Sequence, residues 1–163
     1  MRHTAEVIEK YSAGVLVFRQ DANESVEVLI GHMGGPFFAR KDAGAWSIPK
    51  GEYDPTEDPW AAARREFREE IGFDAPDGPR IDLSPVTQAG GKVVTAFAVL
   101  GDLDVTDSVS NTFELEWPRG SGRIREFPEI DRVAWLSVDV ARSKLLKGQV
   151  PLLDGLLERI DPQ

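Results

Sequence analysis

GEYDPTEDPWAAARREFREEIGF, residues 51–73, holds seven acids (Glu52, Asp54, Glu57, Asp58, Glu66, Glu69 and Glu70) against three arginines. Asp58-Pro59 is a helix start, with a capping side chain followed by proline at the first helical position. Gly72 fits the residue after a helix end, so the spacing predicts a helix over 59–71. On a wheel of about 100° per residue, Glu66, Glu69 and Glu70 share one arc. Trp60, Ala63, Phe67 and Ile71 form an apolar stripe beside it, read as core.

A charge run is ordinarily a solvated helix face. Two features weigh against that here. Glu66 and Glu70 repel at i,i+4, and Glu69 joins them near the helix C-terminus, where the dipole disfavours anions. Two carboxylates about 4 Å apart repel by roughly 4 kcal/mol at an effective dielectric near 20. Arg65 and Arg68 relieve only part of this. A hard divalent cation turns the liability into a site. The oxygen-only donors and the absence of cysteine point to Mg²⁺, with Mn²⁺ as the alternative, rather than zinc.

Outward from this stretch, 163 residues with 41% hydrophobic and 29% charged content predict one globular domain, residues 1–163 with a core over about 10–160. Without cysteine there is no disulfide framework. No apolar run reaches signal-peptide or membrane-span length, so the expected location is cytoplasmic, with no membrane partner. A net charge of −9 argues against non-specific binding to nucleic acid. Strands are expected over 12–20, 26–33 and 111–117, and over 130–138, which is either a strand or an extended segment. A short one is expected in WSIPKGE, and two more flank Gly90-Gly91. The segment from Pro118 to Glu129 reads as a loop, and helices are expected over 139–146 and 151–160. This mixed order is α/β with a mixed sheet.

Gly51, Glu57, Arg65, Glu66, Phe67, Glu69, Glu70, Gly72 and Phe73 match every defined position of the Nudix box, G-x5-E-x7-R-E-U-x-E-E-x-G-U with U apolar. The chain therefore resembles the Nudix hydrolase family. The resemblance implies an α/β/α sandwich around a mixed sheet and Mg²⁺-dependent hydrolysis of a phosphoanhydride in a nucleoside diphosphate linked to another group. Carried over by position, it makes Glu69 and Glu70 the principal metal ligands, with Glu66 direct or through water. Glu57 supports the site, and the Lys50 carbonyl faces the metal. Arg65 orients a glutamate, as against a plain i,i+4 pair with Glu69. Glu66 is the first candidate for the general base, although Nudix enzymes differ in where this base comes from. Glu129 in FPEIDRVAW resembles the additional carboxylate of dinucleoside polyphosphate hydrolases, with Glu114, Glu116 and Glu126 as competitors.

The form Trp46-x-x-Pro49-Lys50-Gly51 resembles hydrolases of dinucleoside and diphosphoinositol polyphosphates. It is less like the nucleotide sanitisers, which more often carry a second glycine at the position of Lys50. Candidate phosphate contacts are Lys50, Arg40, Lys41 and Lys92, joined by Arg119, Arg123 and Arg125 in PRGSGRIR. A base could stack on Phe37, Phe38 or Tyr53. In the window SPVTQAGGKVV, Pro85 falls too early for the proline typical of ADP-ribose pyrophosphatases, and the tyrosine of one type of dinucleoside polyphosphate hydrolase is absent, so those markers assign nothing. The expected substrate is a small-molecule nucleotide or polyphosphate, dinucleoside polyphosphates first and nucleoside triphosphates second. A non-catalytic Nudix sensor would usually have lost box glutamates that this chain keeps. Homodimers are common in the resembling family. His3 and His32 lack a partner at metal-ligand spacing and are assigned no chemistry.

Overall fold

The computed structural model describes residues 10–160, so His3 lies outside the described residues. In chain order the strands are β1 (Lys10–Gln20), β2 (Val26–Met33), β3 (Trp46–Ser47), β4 (Lys50–Glu52), β5 (Arg80–Asp82), β6 (Val86–Thr87), β7 (Lys92–Leu100), β8 (Thr112–Glu116), β9 (Ile124–Pro128) and β10 (Ile130–Ser137). Helix α1 (Pro59–Ile71) follows β4. Helices α2 (Val138–Lys144) and α3 (Val150–Ile160) follow β10, joined by a 3₁₀ turn at Lys147–Gln149.

The main sheet runs β10-β2-β1-β7-β5, with β3 on β2, β4 on β1 and β6 on β7. It is mixed: β1 and β7 are parallel from Lys10 opposite Lys92 to Phe18 opposite Leu100, and β1 pairs antiparallel with β2 and β4. Because successive side chains of a strand point to opposite faces, β1 supplies two cores. Leu16 and Phe18 join Val28, Ile30, Leu152, Leu153 and Leu156 under α2 and α3. Ala13, Val15 and Val17 join Ala62, Ala63, Phe67 and Ile71 under α1. The result is an α/β/α sandwich. Full burial of Phe67 contributes roughly 2–3 kcal/mol.

Helix α1 has the predicted bounds. The Asp58 carboxylate accepts the Ala61 N–H at 3.0 Å. Gly72 adopts φ 89°, left-handed backbone that a side chain would strain, and its N–H reaches the Arg68 carbonyl at 2.8 Å. Trp60 packs against the core under α1 as a half-buried side chain, edge-on to Phe97 with ring centroids 5.3 Å apart.

Three differences have local causes. The segment before Gly90-Gly91 makes two short strands, β5 and β6, because Ser84-Pro85 interrupts the ladder on β7. Part of the expected loop from Pro118 to Glu129 is strand β9, paired with β8 in a separate two-stranded hairpin. Helix α2 starts one residue early, capped by the Ser137 hydroxyl, and stops at Lys144 because extended Leu145 bridges Trp46. Among the described residues, no helix is long and apolar enough to cross a membrane.

One irregularity positions everything that follows. Strands β1 and β2 pair only from Phe18 opposite Val28 to Gln20 opposite Val26. Beyond that they splay, and the β3–β4 segment enters the gap. Trp46 and Ser47 pair with β2, while Lys50 to Glu52 pair with β1. Buried Gln149 ties down this wedge. Its amide oxygen accepts the Ile48 N–H at 2.9 Å, and its amide nitrogen donates to the Ser47 hydroxyl and the Gln88 side-chain Oε1, each at 2.9 Å.

Candidate active site

The wedge delivers Lys50 and Gly51 to one edge of α1. A cavity of about 420 Å³ opens there, lined by Ser12, Ser47, Lys50, Gly51, Glu66, Glu70, Lys92, Asn111 and Glu129 among others. Glu70 accepts the backbone N–H of Lys50 at 3.0 Å. Burial pushes its carboxyl up to about 8, with repulsion from Glu129 and Glu66 adding to the shift and the Lys50 contacts opposing it. Burial also raises Glu66, with Glu69 adding to the effect, and it raises Glu129. Lys50 is lowered by burial and by the nearby charge of Lys92.

Glu66 lies so close over Gly51 that a Cβ at that position would overlap its carboxylate. This is the physical demand for glycine there. Arg65 is the hub of a charge network at the rim. It donates to Glu57, to Glu66 at 3.3 Å, and lies 3.9 Å from Glu69. The Arg65 bond holds Glu57 below the usual carboxylate range. Glu57 also accepts the Asp54 N–H at 3.3 Å, which fixes the loop before the helix.

Glu129 reaches the cavity from the far side of the chain by a backbone relay. The Asn111 N–H donates to the Glu69 carbonyl at 2.8 Å, and the Glu129 N–H donates to the Asn111 carbonyl at 2.9 Å. The Ser108 hydroxyl and the Val109 N–H both reach the Ile71 carbonyl. The last carbonyls of α1, which lack partners within the helix, thereby anchor the segment that carries Glu129.

Of the residues singled out from the sequence, Lys50, Glu66, Glu70, Lys92 and Glu129 line one cavity. Glu57, Arg65 and Glu69 stand at its rim, joined by the arginine. Tyr53 packs against the core under α1, and Phe38 against the opposite core. Phe37, Arg40 and Lys41 are exposed on the loop after β2. Glu114, Glu116 and Glu126 belong to the hairpin. His32 is buried, with its ring nitrogens 2.8 Å from Asp131 Oδ1 and 2.6 Å from the Lys41 carbonyl, a structural position.

Sequence reasoning missed Ser12, Ser47 and Asn111. Ser12 is 1% exposed, and its hydroxyl is a buried side-chain polar atom without a hydrogen-bond partner among the described residues. Such groups are costly unless something polar meets them. Among the described residues no three His, Cys, Asp or Glu side chains close into a ready-made cation cage. Glu66, Glu70 and Glu129 instead line the cavity walls, as buried like charges do.

A family model described as NUDIX domain matches residues 9–156. An RNA pyrophosphohydrolase of Gluconacetobacter diazotrophicus is 36% identical over 80 residues, a segment covering 45% of this chain and 43% of that protein. The fold is similar to a C. elegans Ap4A hydrolase in a binary complex (TM-score 0.58, 21% identity, 94% of this chain and 99% of that one). It is also similar to the Nudix domain of Shewanella oneidensis NrtR complexed with ADP ribose (TM-score 0.63, 16% identity, 93% and 88%).

Proposed function

Because the chain belongs to the Nudix family, we propose that it hydrolyses a phosphoanhydride bond in a nucleoside diphosphate linked to another group, with a dinucleoside polyphosphate as the first substrate. The observation that carries this reading is the single cavity into which Glu66, Glu70 and Glu129 face together with Lys50 and Lys92.

A divalent cation suits this donor set. The side chains offer only hard oxygen ligands, burial makes their charge costly, and the Ser12 hydroxyl lacks a partner among the described residues. Glu66 and Glu70 would hold it, with Glu69 and the Lys50 carbonyl completing the set. Glu57 would act through Arg65. Mg²⁺ is the first choice and Mn²⁺ the second. When bound, the ion neutralises phosphate charge and makes a water more acidic.

The chain's own residues do the rest. Lys50 and Lys92 receive the phosphate oxygens as point charges. Glu66, with Glu129 as the alternative, accepts the proton of the attacking water. Arg65 keeps Glu66 aimed by a charge-assisted hydrogen bond. The Asn111 relay sets the distance between the two candidate bases.

A second reading is removal of pyrophosphate from an RNA 5′ end, favoured by the curated relative of that name. A third is hydrolysis of a nucleoside triphosphate. Incubation with Mg²⁺ and a panel of dinucleoside polyphosphates, nucleoside triphosphates and 5′-triphosphorylated RNA in ¹⁸O water separates them. The proposal expects fastest turnover of a dinucleoside polyphosphate, with label in one phosphate product. Binding of every compound without product would identify a sensor instead.

A further inference from the structure

Strands β8 and β9 form a ladder of their own, from Thr112 opposite Pro128 to Glu116 opposite Ile124. The Trp117 N–H donating to the Arg123 carbonyl at 2.9 Å extends it one pair further. Alternation then sorts the side chains. Phe113, Leu115 and Trp117 share a face with Phe127, Arg125 and Arg123. Glu114, Glu116 and Glu126 take the opposite face, where Glu116 accepts the Gly120 N–H at 2.6 Å and Glu126 accepts the Thr112 hydroxyl.

The aromatic and cationic face is turned toward the loop after β2. The Phe113 ring packs on Gly35, and Trp117 meets Phe37 edge-on with centroids 5.5 Å apart. Arg119 lies 5.9 Å from the Phe37 ring, and Arg125 lies 5.5 Å from that of Phe127. Arg19, Arg65, Arg68, Arg80, Arg132 and Arg142 all pair with acids. Arg119, Arg123 and Arg125 pair with none among the described residues, as do Arg40, Arg64 and Arg159, but only these three cluster on one hairpin. On a chain of net charge −9, three arginines without an ion-pair partner on a hairpin whose Glu114, Glu116 and Glu126 take the opposite face offer a site for anions.

The hairpin is rooted in the cavity wall, since Asn111 and Glu129 flank its two strands and line the cavity. Five strand residues extend about 17 Å from that root. We infer that this face receives the second nucleoside and outer phosphates of a dinucleoside polyphosphate, with the base on Phe37 and the phosphates on Arg123 and Arg125. A single-stranded polynucleotide would call for successive stacking platforms. Here Phe37, 48% exposed, offers room for one base, while Trp117 and Phe127 are half-buried. The inference rests on the phosphoanhydride reading above and names the part of the substrate that lies outside the cleaved bond.

The test uses the full chain with Mg²⁺ and methylene-bridged, non-hydrolysable analogues of diadenosine tetraphosphate, ATP and a 5′-triphosphorylated oligoribonucleotide. Kd is measured by calorimetry for wild type, Phe37→Ala and Arg123→Glu/Arg125→Glu, all exposed positions. Each variant is expected to weaken the dinucleoside analogue at least about tenfold and the ATP analogue less than about threefold. Equal weakening of both, no weakening, or no binding by wild type overturns the inference. So does weakening confined to the oligoribonucleotide. Turnover of authentic diadenosine tetraphosphate is followed separately. Binding with the expected variant pattern but no product refutes the hydrolase reading and leaves the hairpin assignment standing.

Discussion

The backbone carbonyl of Glu69 accepts the N–H of Asn111 at 2.8 Å, tying the acidic edge of α1 to a segment more than forty residues later in the chain. Asn111 passes the constraint to Glu129 through a second bond of 2.9 Å. Proline at 111 removes the donor that begins the relay. Asn111→Pro should therefore lower kcat/KM at least about tenfold. Glu129→Gln should do the same, and the double variant should lose little more than either alone, as coupled sites do. Steady-state kinetics of the four proteins check this, and full additivity would separate Asn111 from Glu129.

Glu70→Gln keeps the shape and the acceptor for the Lys50 N–H but removes an ionisable carboxyl that stands near Glu129 and Glu66. Turnover with Mg²⁺ should fall about a thousandfold or more. The metal-free melting temperature should equal or exceed that of wild type, because folding no longer has to protonate a carboxyl pushed up to about 8 or bury it charged. Calorimetry in EDTA beside a turnover assay tests both halves.

A methyl group at residue 51 would occupy the space of the Glu66 carboxylate. Glu66 is the flexible partner, so Gly51→Ala should leave the fold in place and swing that side chain aside. Activity should drop roughly a hundredfold while the circular dichroism spectrum is unchanged. Near-wild-type turnover would show that Glu66 acts from elsewhere.

Gln149→Leu replaces the wedge's anchor with an apolar side chain of similar size. The Ile48 N–H and the Ser47 hydroxyl both lose a buried partner. The Ser47 hydroxyl keeps its bond to the Ile48 carbonyl, so with the Ile48 N–H left unpaired at about 1–3 kcal/mol, urea unfolding should report a loss of about 2 kcal/mol. A change under 1 kcal/mol would mean that the wedge has other support.

Asp42 receives hydrogen bonds from Lys144 and from the Trp46 indole, and both hold its carboxyl below the usual carboxylate range. A carboxylate depressed in the folded state stabilises above its unfolded pKa and loses that contribution as pH falls through the folded value. Wild type should thus lose urea resistance more steeply below about pH 4 than Asp42→Asn does. Parallel curves from pH 5 to pH 2.5 would contradict the assignment.

Helix α1 was legible because its signals are local: Asp58-Pro59 at one end, Gly72 at the other, and an apolar stripe between them. The glutamates were legible for the same reason. Ser12, Ser47 and Asn111 were not, because their place in the cavity depends on the splay of β1 from β2 and on pairings over long sequence distances. Strand β9 was hidden by Arg125, with Arg123 just before the strand, at positions where alternation would show apolar side chains. Tyr53 lies inside the box in sequence, yet the turn after β4 sends it to the core under α1. Nearness along the chain did not predict nearness in space.

The β8–β9 ladder satisfies its own backbone hydrogen bonds and shares none of its strand pairings with the main sheet. Its length and surface chemistry can therefore drift, or be exchanged by grafting, while both cores and the acidic edge of α1 stay constant. Specificity in this chain is detachable from the machinery that breaks the bond.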